Sequence, residues 1–471
     1  MWFRADLRTA DNRALRAAAE WADAGVIGVF LICPEQWREH DWAAVKVEFI
    51  LRHLRELSHR LGEFHIPLMV ETVPRFDGGA KALTRIASAH ACTGLFFNRE
   101  YEVNEARRDT AVTALMSKAG IEVQAFDDQV VLEPGSVRTS EGRPFTVFTP
   151  FKNAWFKRYQ ERGGVPLAGA PARHPEIGVR ASVIPDRVAG FESSVDPALW
   201  PAGEGAAMER LHGFASRRLG SYKVQRDNPS VDGTSTLSPA LATGAMSPRQ
   251  CLRAALEANK GKLEGGLAGA DQWISELIWR EFYKHLIHAF PRLCMGRAFK
   301  PATERLPWRY DTKDFQAWCE GRTGVPIVDA AMRQLNTTGW MHNRLRMVTA
   351  MYLTKDLFID WRWGERYFMQ HLIDGDLASN NGGWQWSAST GTDAAPYFRI
   401  FNPISQSRTH DAEGKFIRTW VPELASLDDE AIHDPSELPP LVRARLDYPE
   451  PIVDHAKARE RVMREFKAIK A

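Results

Sequence analysis

The stretch that organises the fold spans residues 361–403 and reads WRWGERYFMQHLIDGDLASNNGGWQWSASTGTDAAPYFRIFNP. Tryptophans at positions 361, 363, 384 and 386 flank an acidic and amide-rich segment from Asp374 to Gly383, which we interpret as a polar loop. Its glycines allow close backbone approach, and its carboxylates and amides supply hydrogen-bond acceptors and donors. Large rings beside convergent polar groups indicate a site for a flat cofactor.

Length and composition are those of an ordinary soluble protein of two or three domains. The 471 residues carry a net charge of +2, so nucleic-acid binding requires a local basic patch. The five scattered cysteines lack metal-ligand spacing, which is typical of reduced thiols in the cytosol. The sequence shows no signal peptide or long apolar run. We therefore expect a cytoplasmic protein with no membrane partner.

The N-terminal part alternates strand and helix patterns. We predict strands at 26–32, 67–70, 95–98 and 122–126, and helices at 12–24, 44–61, 80–89 and 105–118. This alternation favours a Rossmann-like parallel sheet, although no G-x-G-x-x-G marks a dinucleotide site. The opening Met1-Trp-Phe-Arg4 leaves little room for a first strand, which predicts either an earlier start codon or a short strand.

A proline-rich stretch separates this part from a second domain. Eight prolines punctuate residues 129–199, which predicts a long connector with one helix near 152–160. Beyond it, helical periodicity predicts helices at 205–219, 248–257, 270–289, 312–320, 327–337, 343–356 and 361–373. The predicted fold is an α/β domain at 1–128, the connector at 129–199 and an all-helical domain at 200–471, with a peripheral helix after Leu438.

Hydroxyl side chains precede a helix start at residues 233–239. Ser238 is the predicted N-cap and Pro239 a first-turn residue. Hydroxyls and unpaired N–H groups at such a start suit an anion such as a pyrophosphate, while a plain capped helix explains the same residues. After the strand at 95–98, Asn104-Glu105 fits either a ligand site at a strand end or a capped helix start.

One face of the predicted helix at 270–289 is unusually polar for a core. The residues on or beside this face are Trp273, Glu276, Trp279, Arg280 and Tyr283. Such a face could stack on a flat base and bind its edge. An amphipathic helix with an internal Glu276–Arg280 pair explains the spacing equally well.

Other candidates have a structural and a functional interpretation. Glu281, His285 and His288 have metal-like spacing, but no second ligand cluster accompanies them, which favours core or surface roles. His342 in the turn at 336–347 is predicted to be a satisfied buried histidine.

Nine of the sixteen tryptophans lie between positions 273 and 386. Three of these, Trp308, Trp361 and Trp384, could relay electrons if they stack, or could simply fill a core.

Together these motifs resemble the photolyase/cryptochrome family, and closely the class I cyclobutane pyrimidine dimer photolyases of bacteria. The resemblance covers nearly the whole chain. Its motifs lie at residues 2–12, 233–238, 276–283, 339–344 and 374–386, and the last of these is the most specific.

The resemblance implies FAD, bound in a U shape within the helical domain. The implied contacts are Tyr222, Thr234, Ser235, Thr236, Leu237, Ser238, Trp273, Asp374, Gly375 and Asp376. Asn380 would face flavin N5. Trp384, Trp361 and Trp308 would form a photoreduction chain from the flavin outward.

The implied activity is light-dependent repair of pyrimidine dimers by electron transfer from excited reduced FAD to a dimer flipped out of DNA. Glu276 would stabilise the charged dimer through a thymine carbonyl, and Trp279 and Trp386 would sandwich it. The other implied DNA-side residues are Arg226, Arg280, Tyr283, Asn343, Arg344, Met347 and Gln406. The alternative is a cryptochrome-type blue-light photoreceptor with the same fold and FAD; a generic flavin oxidoreductase is a third reading. Asn343, Met347, Asn380 and Trp386 favour repair.

The resemblance also implies an antenna chromophore and a monomeric protein. His40, Asn104, Glu105 and Cys294 resemble a methenyltetrahydrofolate pocket. Met295 stands where folate-binding relatives carry a lysine, which predicts weaker folate binding, an empty pocket or a deazaflavin.

Overall fold

The N-terminal part of the structure, a computed structural model that describes residues 1–469, is a five-stranded parallel sheet of order β3-β2-β1-β4-β5. The strands are β1 Trp2–Phe3, β2 Gly28–Ile32, β3 Leu68–Thr72, β4 Gly94–Asn98 and β5 Glu122–Phe126. The helices among them are α1 Arg13–Trp21, α2 Pro34–Glu39, α3 Ala44–Gly62, α4 Phe76–Ala89 and α5 Val103–Lys118. The predicted Rossmann-like α/β fold is confirmed.

The central strand β1 is only two residues long. Trp2 pairs with Val29 of β2 on one side and with Phe97 of β4 on the other. Both β1 residues are buried. Their side chains therefore anchor the middle of the sheet although the strand forms few ladder hydrogen bonds.

The described chain after Phe126 forms helices, 3₁₀ turns and loops, with two isolated bridges and no further strand. The helices are α6 Phe148–Glu161, α7 Glu204–Arg217, α8 Tyr222–Gln225, α9 Ser238–Thr243, α10 Pro248–Ala258, α11 Ala268–Ala289, α12 Thr312–Glu320, α13 Pro326–Thr338, α14 Asn343–Met351, α15 Trp361–His371, α16 Leu377–Ala388, α17 Pro403–His410, α18 Lys415–Trp420, α19 Pro440–Arg443 and α20 His455–Ala468. The predicted all-helical character is confirmed. No helix among residues 1–469 is long and apolar enough to cross a membrane.

Two predicted segments differ from the observed ones in conformation as well as in their bounds. The predicted helix at 343–356 is α14 followed by a π-helical turn, Tyr352–Asp356. The segment at 374–383 was predicted to be a loop, and this was wrong beyond residue 376, because α16 begins at Leu377. Its glycines and asparagines are poor helix formers, so tertiary packing overrides local propensity there.

The chain divides into two compact units. The first comprises residues 1–220, 235–294 and 373–378; the second comprises 221–234, 295–372 and the described residues from 379 onward. The boundaries predicted at 128/129 and 199/200 stay a prediction.

The core of the first unit contains a buried charge network. Arg249 binds Asp11 Oδ2 through Nε at 2.9 Å and Asp128 Oδ1 through Nη2 at 2.5 Å, and Arg8 also pairs with Asp128. Arg8 and Asp11 lie between β1 and α1, Asp128 follows β5, and Arg249 lies on α10. Burial alone would raise the pKa of Asp128, but Arg8 and Arg249 lower it to about 2.

Candidate functional site

The predicted site residues occur in both units, and the hydroxyl-rich segment belongs mainly to the first. Thr236 has a left-handed backbone (φ 48°), and the Arg210 guanidinium donates to its Oγ1 at 2.5 Å. The prediction that Ser238 caps α9 was wrong: Leu237 is the N-cap, without a side-chain bond, and Ser238 is the first helical residue. The left-handed turn at Thr236 gives Leu237 near-helical backbone dihedrals, so the helix begins one residue before the predicted start. Hydroxyls beside a guanidinium still suit a phosphate group.

The acidic segment at 374–376 is held by two buried lysines of the same unit. Lys284 Nζ lies 2.5 Å from Asp376 Oδ2 and 3.1 Å from Glu102 Oε1. Lys46 Nζ donates to the Gly375 carbonyl at 2.6 Å. Burial would lower the pKa of Lys284, but the two carboxylates raise it above its ordinary value. Lys284 therefore stays charged at neutral pH and fixes the carboxylate of Asp376.

Sequence analysis missed both lysines. Lys284 lies on α11, one turn beyond the predicted Arg280, and Lys46 lies on α3, more than three hundred residues from Gly375. The signal that could have identified them is a lysine on the apolar side of each helical pattern, where an unpaired charge is costly. Only folding pairs each lysine with the 374–376 segment.

Helix α11 presents its predicted residues to several different partners. Trp273 packs on Phe214 with 4.9 Å between ring centroids. Trp279 stacks on Phe148 at 3.7 Å and 9°, which fixes the plane of its indole. Trp273 is therefore a core residue, whereas the ring of Trp279 is held in a defined orientation.

The polar residues of α11 also have distinct contacts. Glu276 accepts a hydrogen bond from Gln272 Nε2 at 2.8 Å. Arg280 donates to the carbonyls of Gln129 at 2.6 Å and Leu241 at 3.4 Å. Tyr283 lies 5.7 Å from the Trp279 ring. Gln272 and Phe148 are contacts that the sequence analysis did not single out.

The metal-like group on α11 has core and surface roles, as predicted: Glu281 and His285 are buried, and His288 is exposed. Glu281 accepts hydrogen bonds from the Val131 amide at 2.7 Å, the Leu132 amide at 2.9 Å and Trp155 Nε1 at 2.6 Å. His285 Nε2 lies 3.0 Å from the Leu132 carbonyl. Burial raises the pKa of Glu281 to about 7, against the lowering effect of Trp155 and the two amides.

Trp308, Trp361 and Trp384 lie buried in one hydrophobic core of the second unit. Trp384 meets Phe368 edge-on at 5.0 Å and Trp318 at 6.0 Å. Gly364 of α15 packs so closely that a Cβ there would come within 2.0 Å of the Trp384 ring. The order of electron transfer along the three indoles stays a prediction.

The amides of α16 in this unit are tied to α15. Asn380 Nδ2 donates to the Glu365 carbonyl at 2.9 Å, and Asn381 Nδ2 donates to the Glu365 carboxylate at 2.8 Å. With its NH₂ group held in this way, Asn380 offers Oδ1 as its acceptor.

The predicted DNA-side residues of the second unit include a cluster of arginines around an acid. Arg344 Nη2 lies 2.8 Å from Asp227 Oδ2, and Arg226 Nε lies 3.7 Å from Asp227 Oδ1. Helix α14 begins at Asn343, and its N-cap His342 accepts from the Arg344 amide at 3.2 Å. Burial lowers the pKa of His342 to about 4, so it is neutral. Its predicted burial is confirmed, but its Nε2 has no hydrogen-bond partner among the described residues, so it is not fully satisfied.

The remaining predicted residues lie on several elements of the second unit. Tyr222 is buried in α8, and Thr234 lies in the loop that follows. Met347 and Trp386 are partly buried against the core, and Gln406 lies on α17. Arg399 and Arg408, both near α17, add to the positive charge of this part of the chain.

The antenna candidates are neighbours in the first unit. His40 Nε2 lies 2.9 Å from Asn104 Nδ2, and His40 Nδ1 lies 3.4 Å from Glu105 Oε1. Cys294 is hydrogen-bonded to the backbone of Val103, and burial raises the pKa of its thiol to about 12. Asn104 is not the N-cap of α5, because that helix begins at Val103 after Glu102. Met295 is 57% exposed.

Comparison with known proteins assigns the N-terminal and C-terminal regions to one family. Residues 1–175 match the family described as DNA photolyase, and residues 273–468 match the FAD binding domain of DNA photolyase. The chain is 47% identical to the deoxyribodipyrimidine photo-lyase of Escherichia coli strain K12, with 99% of this chain and 98% of that protein covered. It is 40% identical to the Neurospora crassa deoxyribodipyrimidine photo-lyase over 99% of this chain and 81% of that protein.

Solved structures agree with this assignment. A bacterial class III photolyase from Agrobacterium tumefaciens has a TM-score of 0.89 at 34% identity, covering 100% of this chain and 97% of that one. A Synechocystis cryptochrome has a TM-score of 0.87 at 27% identity, with 98% of each chain covered. The fold and the two matched regions define a flavin-binding protein of the photolyase/cryptochrome type. The chain belongs to the DNA photolyase family.

Proposed function

We propose that this protein is a light-dependent carbon–carbon lyase that splits cyclobutane pyrimidine dimers in DNA. The observation that carries the proposal is the 47% identity to a deoxyribodipyrimidine photo-lyase over 99% of this chain. We infer further that it acts as a monomer in the bacterial cytoplasm, associated with the nucleoid through DNA.

The chain's donor and acceptor set fits FAD. Hydroxyls at 234–238 with Arg210 beside Thr236 suit the pyrophosphate. Asp374 and Asp376 supply acceptors, and Lys284 and Lys46 hold that segment in place. Tyr222, Leu237 and Trp273 supply buried apolar surface. We assign these side chains, with Ser235, Ser238 and Gly375, to FAD binding.

Two groups adjust the electron-transfer properties of the proposed site. When bound and reduced, FAD supplies the light-excited electron donor. Asn380 would accept a hydrogen bond from the flavin through Oδ1, because its NH₂ group donates to the Glu365 carbonyl. Trp384, Trp361 and Trp308, which are buried in one core of the second unit, would supply electrons to the bound flavin.

We assign the substrate-side roles residue by residue. Glu276 donates from its carboxylic acid O–H to a thymine carbonyl oxygen and so stabilises the negative charge that develops on the dimer. Trp279, whose plane Phe148 fixes, stacks on the dimer together with Trp386. Arg280, Tyr283, Asn343 and Met347 border the dimer, while Arg226, Arg344 and Gln406 contact the DNA strand. These phosphate contacts make DNA binding dependent on salt.

We assign the cluster of His40, Asn104, Glu105 and Cys294 to an antenna chromophore. Burial and the neighbouring carboxylates Glu102 and Glu100 raise the pKa of Glu105 to about 8. A protonated Glu105 can donate a hydrogen bond to a heterocycle such as methenyltetrahydrofolate. The exposed Met295 supplies no charge for the glutamate tail of a folate.

A repair assay tests the proposed function. The flavin is reduced, an oligonucleotide carrying one thymine dimer is added, and thymine absorbance is followed under blue light. We expect absorbance to recover only with light. Intact FAD and tight dimer binding without any recovery would instead support a cryptochrome-type photoreceptor, the second candidate, which the 27% identity to a Synechocystis cryptochrome supports less strongly.

A further inference from the structure

We propose that Asp227 competes with DNA phosphate for Arg226 and Arg344, and so limits how long the protein stays on undamaged DNA. The inference rests on the proposed function, in which these two arginines contact the DNA strand. It gives a regulatory role to an acidic residue within a basic cluster.

The geometry places a carboxylate where a phosphate would bind. Arg344 Nη2 is 2.8 Å from Asp227 Oδ2, a charge-assisted hydrogen bond, and Arg226 Nε is 3.7 Å from Oδ1. Phosphate and carboxylate oxygens use the same guanidinium N–H groups. A phosphate that takes up Arg344 in the same way must therefore displace Asp227.

The surroundings keep Asp227 ionised and the histidines neutral. Burial alone would raise the pKa of Asp227, but the guanidinium groups of Arg344 and Arg226 lower it. Burial lowers the pKa values of His342 and His410. At neutral pH the carboxylate is thus an internal counterion for the two arginines.

The ion pair is partly open to solvent. The side chain of Asp227 is 34% exposed and that of Arg344 is 18% exposed, so salt and water can reach the pair and screen it. With Asp227 in place the two arginines neutralise less phosphate charge, so fewer of the cations condensed on the DNA are released on binding. Asp227 therefore weakens phosphate binding and makes its salt dependence shallower.

This effect does not require a dimer. It lowers affinity for damaged and undamaged strands alike, whereas stacking of a flipped dimer adds affinity only at the lesion. Because phosphate binding is weaker, the protein dissociates sooner from undamaged DNA. The contacts with the flipped dimer then determine where the protein stays bound.

The test compares Asp227→Asn with Glu460→Gln, which removes one negative charge from an exposed position on α20 of the same unit. Binding of FAD-loaded protein to undamaged duplex and to dimer-containing duplex is measured in the dark across a salt series by fluorescence anisotropy. Dissociation rates from undamaged duplex are measured by competition. Retention of FAD checks that each variant folds.

We expect Asp227→Asn to bind undamaged duplex roughly 3- to 10-fold more tightly, with slower dissociation and a salt slope steeper by about 1. Glu460→Gln should stay within about 2-fold of the unsubstituted protein, because its charge is distant and screened. A second variant, Asp227→Ser, should show the same increase.

Unchanged or weaker binding by both Asp227 variants would overturn the inference, because it would mean that Asp227 orients Arg344 for DNA. Failure of the proposed function looks different: the unsubstituted protein itself would show no preference for dimer-containing DNA and no repair.

Discussion

At the scale of single residues, Glu276 is the side chain on which the proposed repair depends most directly. Glu276→Ala removes the group that stabilises charge on the dimer. We expect the repair yield per absorbed photon to fall roughly 10- to 100-fold, the effect of losing a hydrogen bond to a charged group. The yield is measured from thymine absorbance with saturating dimer DNA.

Glu276→Gln serves as the conservative control. Its amide can still donate to a thymine carbonyl, so it should keep more repair than Glu276→Ala. Both variants should retain FAD. Equal repair by Glu276→Ala and the unsubstituted protein would remove Glu276 from the substrate side.

Trp308 is the residue that tests the electron relay. Trp308→Phe should abolish photoreduction of oxidised FAD, because phenylalanine is much harder to oxidise than tryptophan. Repair by enzyme reduced beforehand should be unaffected, since that reaction does not use the relay. Flavin absorbance under blue light with an external reductant measures the first property.

The control for Trp308 is Trp363→Phe, a partly buried tryptophan beside the same core. This variant should photoreduce normally. If Trp308→Phe photoreduces as fast as Trp363→Phe, electrons take another route through the second unit.

At the scale of elements, the structure shows how α11 supports a segment far away in the sequence. Lys284→Met leaves the carboxylates of Asp376 and Glu102 without their shared buried cation. Removing one partner of a buried ion pair costs about 3–5 kcal/mol. We expect a lower free energy of unfolding and faster loss of FAD, measured by denaturant titration and by flavin absorbance after gel filtration.

A control substitution tests whether the effect of Lys284→Met comes from its buried charge or from the loss of any lysine. Lys118→Met changes an exposed lysine at the end of α5 and should alter stability by less than about 0.5 kcal/mol. Similar FAD loss in both variants would argue against a special role for Lys284.

At the scale of the molecule, acid stability depends on the charge network of the first unit. Asp128 has a pKa of about 2 in the folded protein, below its ordinary 3.8. A depressed folded pKa adds stability above the unfolded value, and this contribution, about 2 kcal/mol, is lost as the pH falls from about 4 toward 2. The free energy of unfolding should therefore decline in that window.

Asp128→Asn isolates this contribution from other titrating groups. The variant should be less stable than the unsubstituted protein at pH 6, because Arg8 and Arg249 remain buried. The difference between the two proteins should shrink as the pH approaches 2. A difference that is constant with pH would show that Asp128 is not the group that titrates.

Local pattern was sufficient for much of the architecture. The patterns at 26–32, 95–98 and 122–126 correctly predicted the buried strands β2 and β4 and the partly buried β5, because a strand carries its apolar signal within a few residues. The helical pattern at 270–289 predicted α11 for the same reason. By contrast, the glycine- and asparagine-rich start of α16 has no such signal, and its helix depends on packing against neighbouring elements.

The sequence by itself determined the fold class, the residue types of the cofactor segment and, through family resemblance, the proposed roles around residues 361–403. Tertiary structure alone decided which groups meet: Lys46 and Lys284 with Gly375 and Asp376, and Asp227 with Arg344. The physical reason is the distance along the chain over which each effect acts. Strand and helix preferences act over a few neighbouring residues, whereas buried charges must be neutralised by whichever opposite charge the fold brings close.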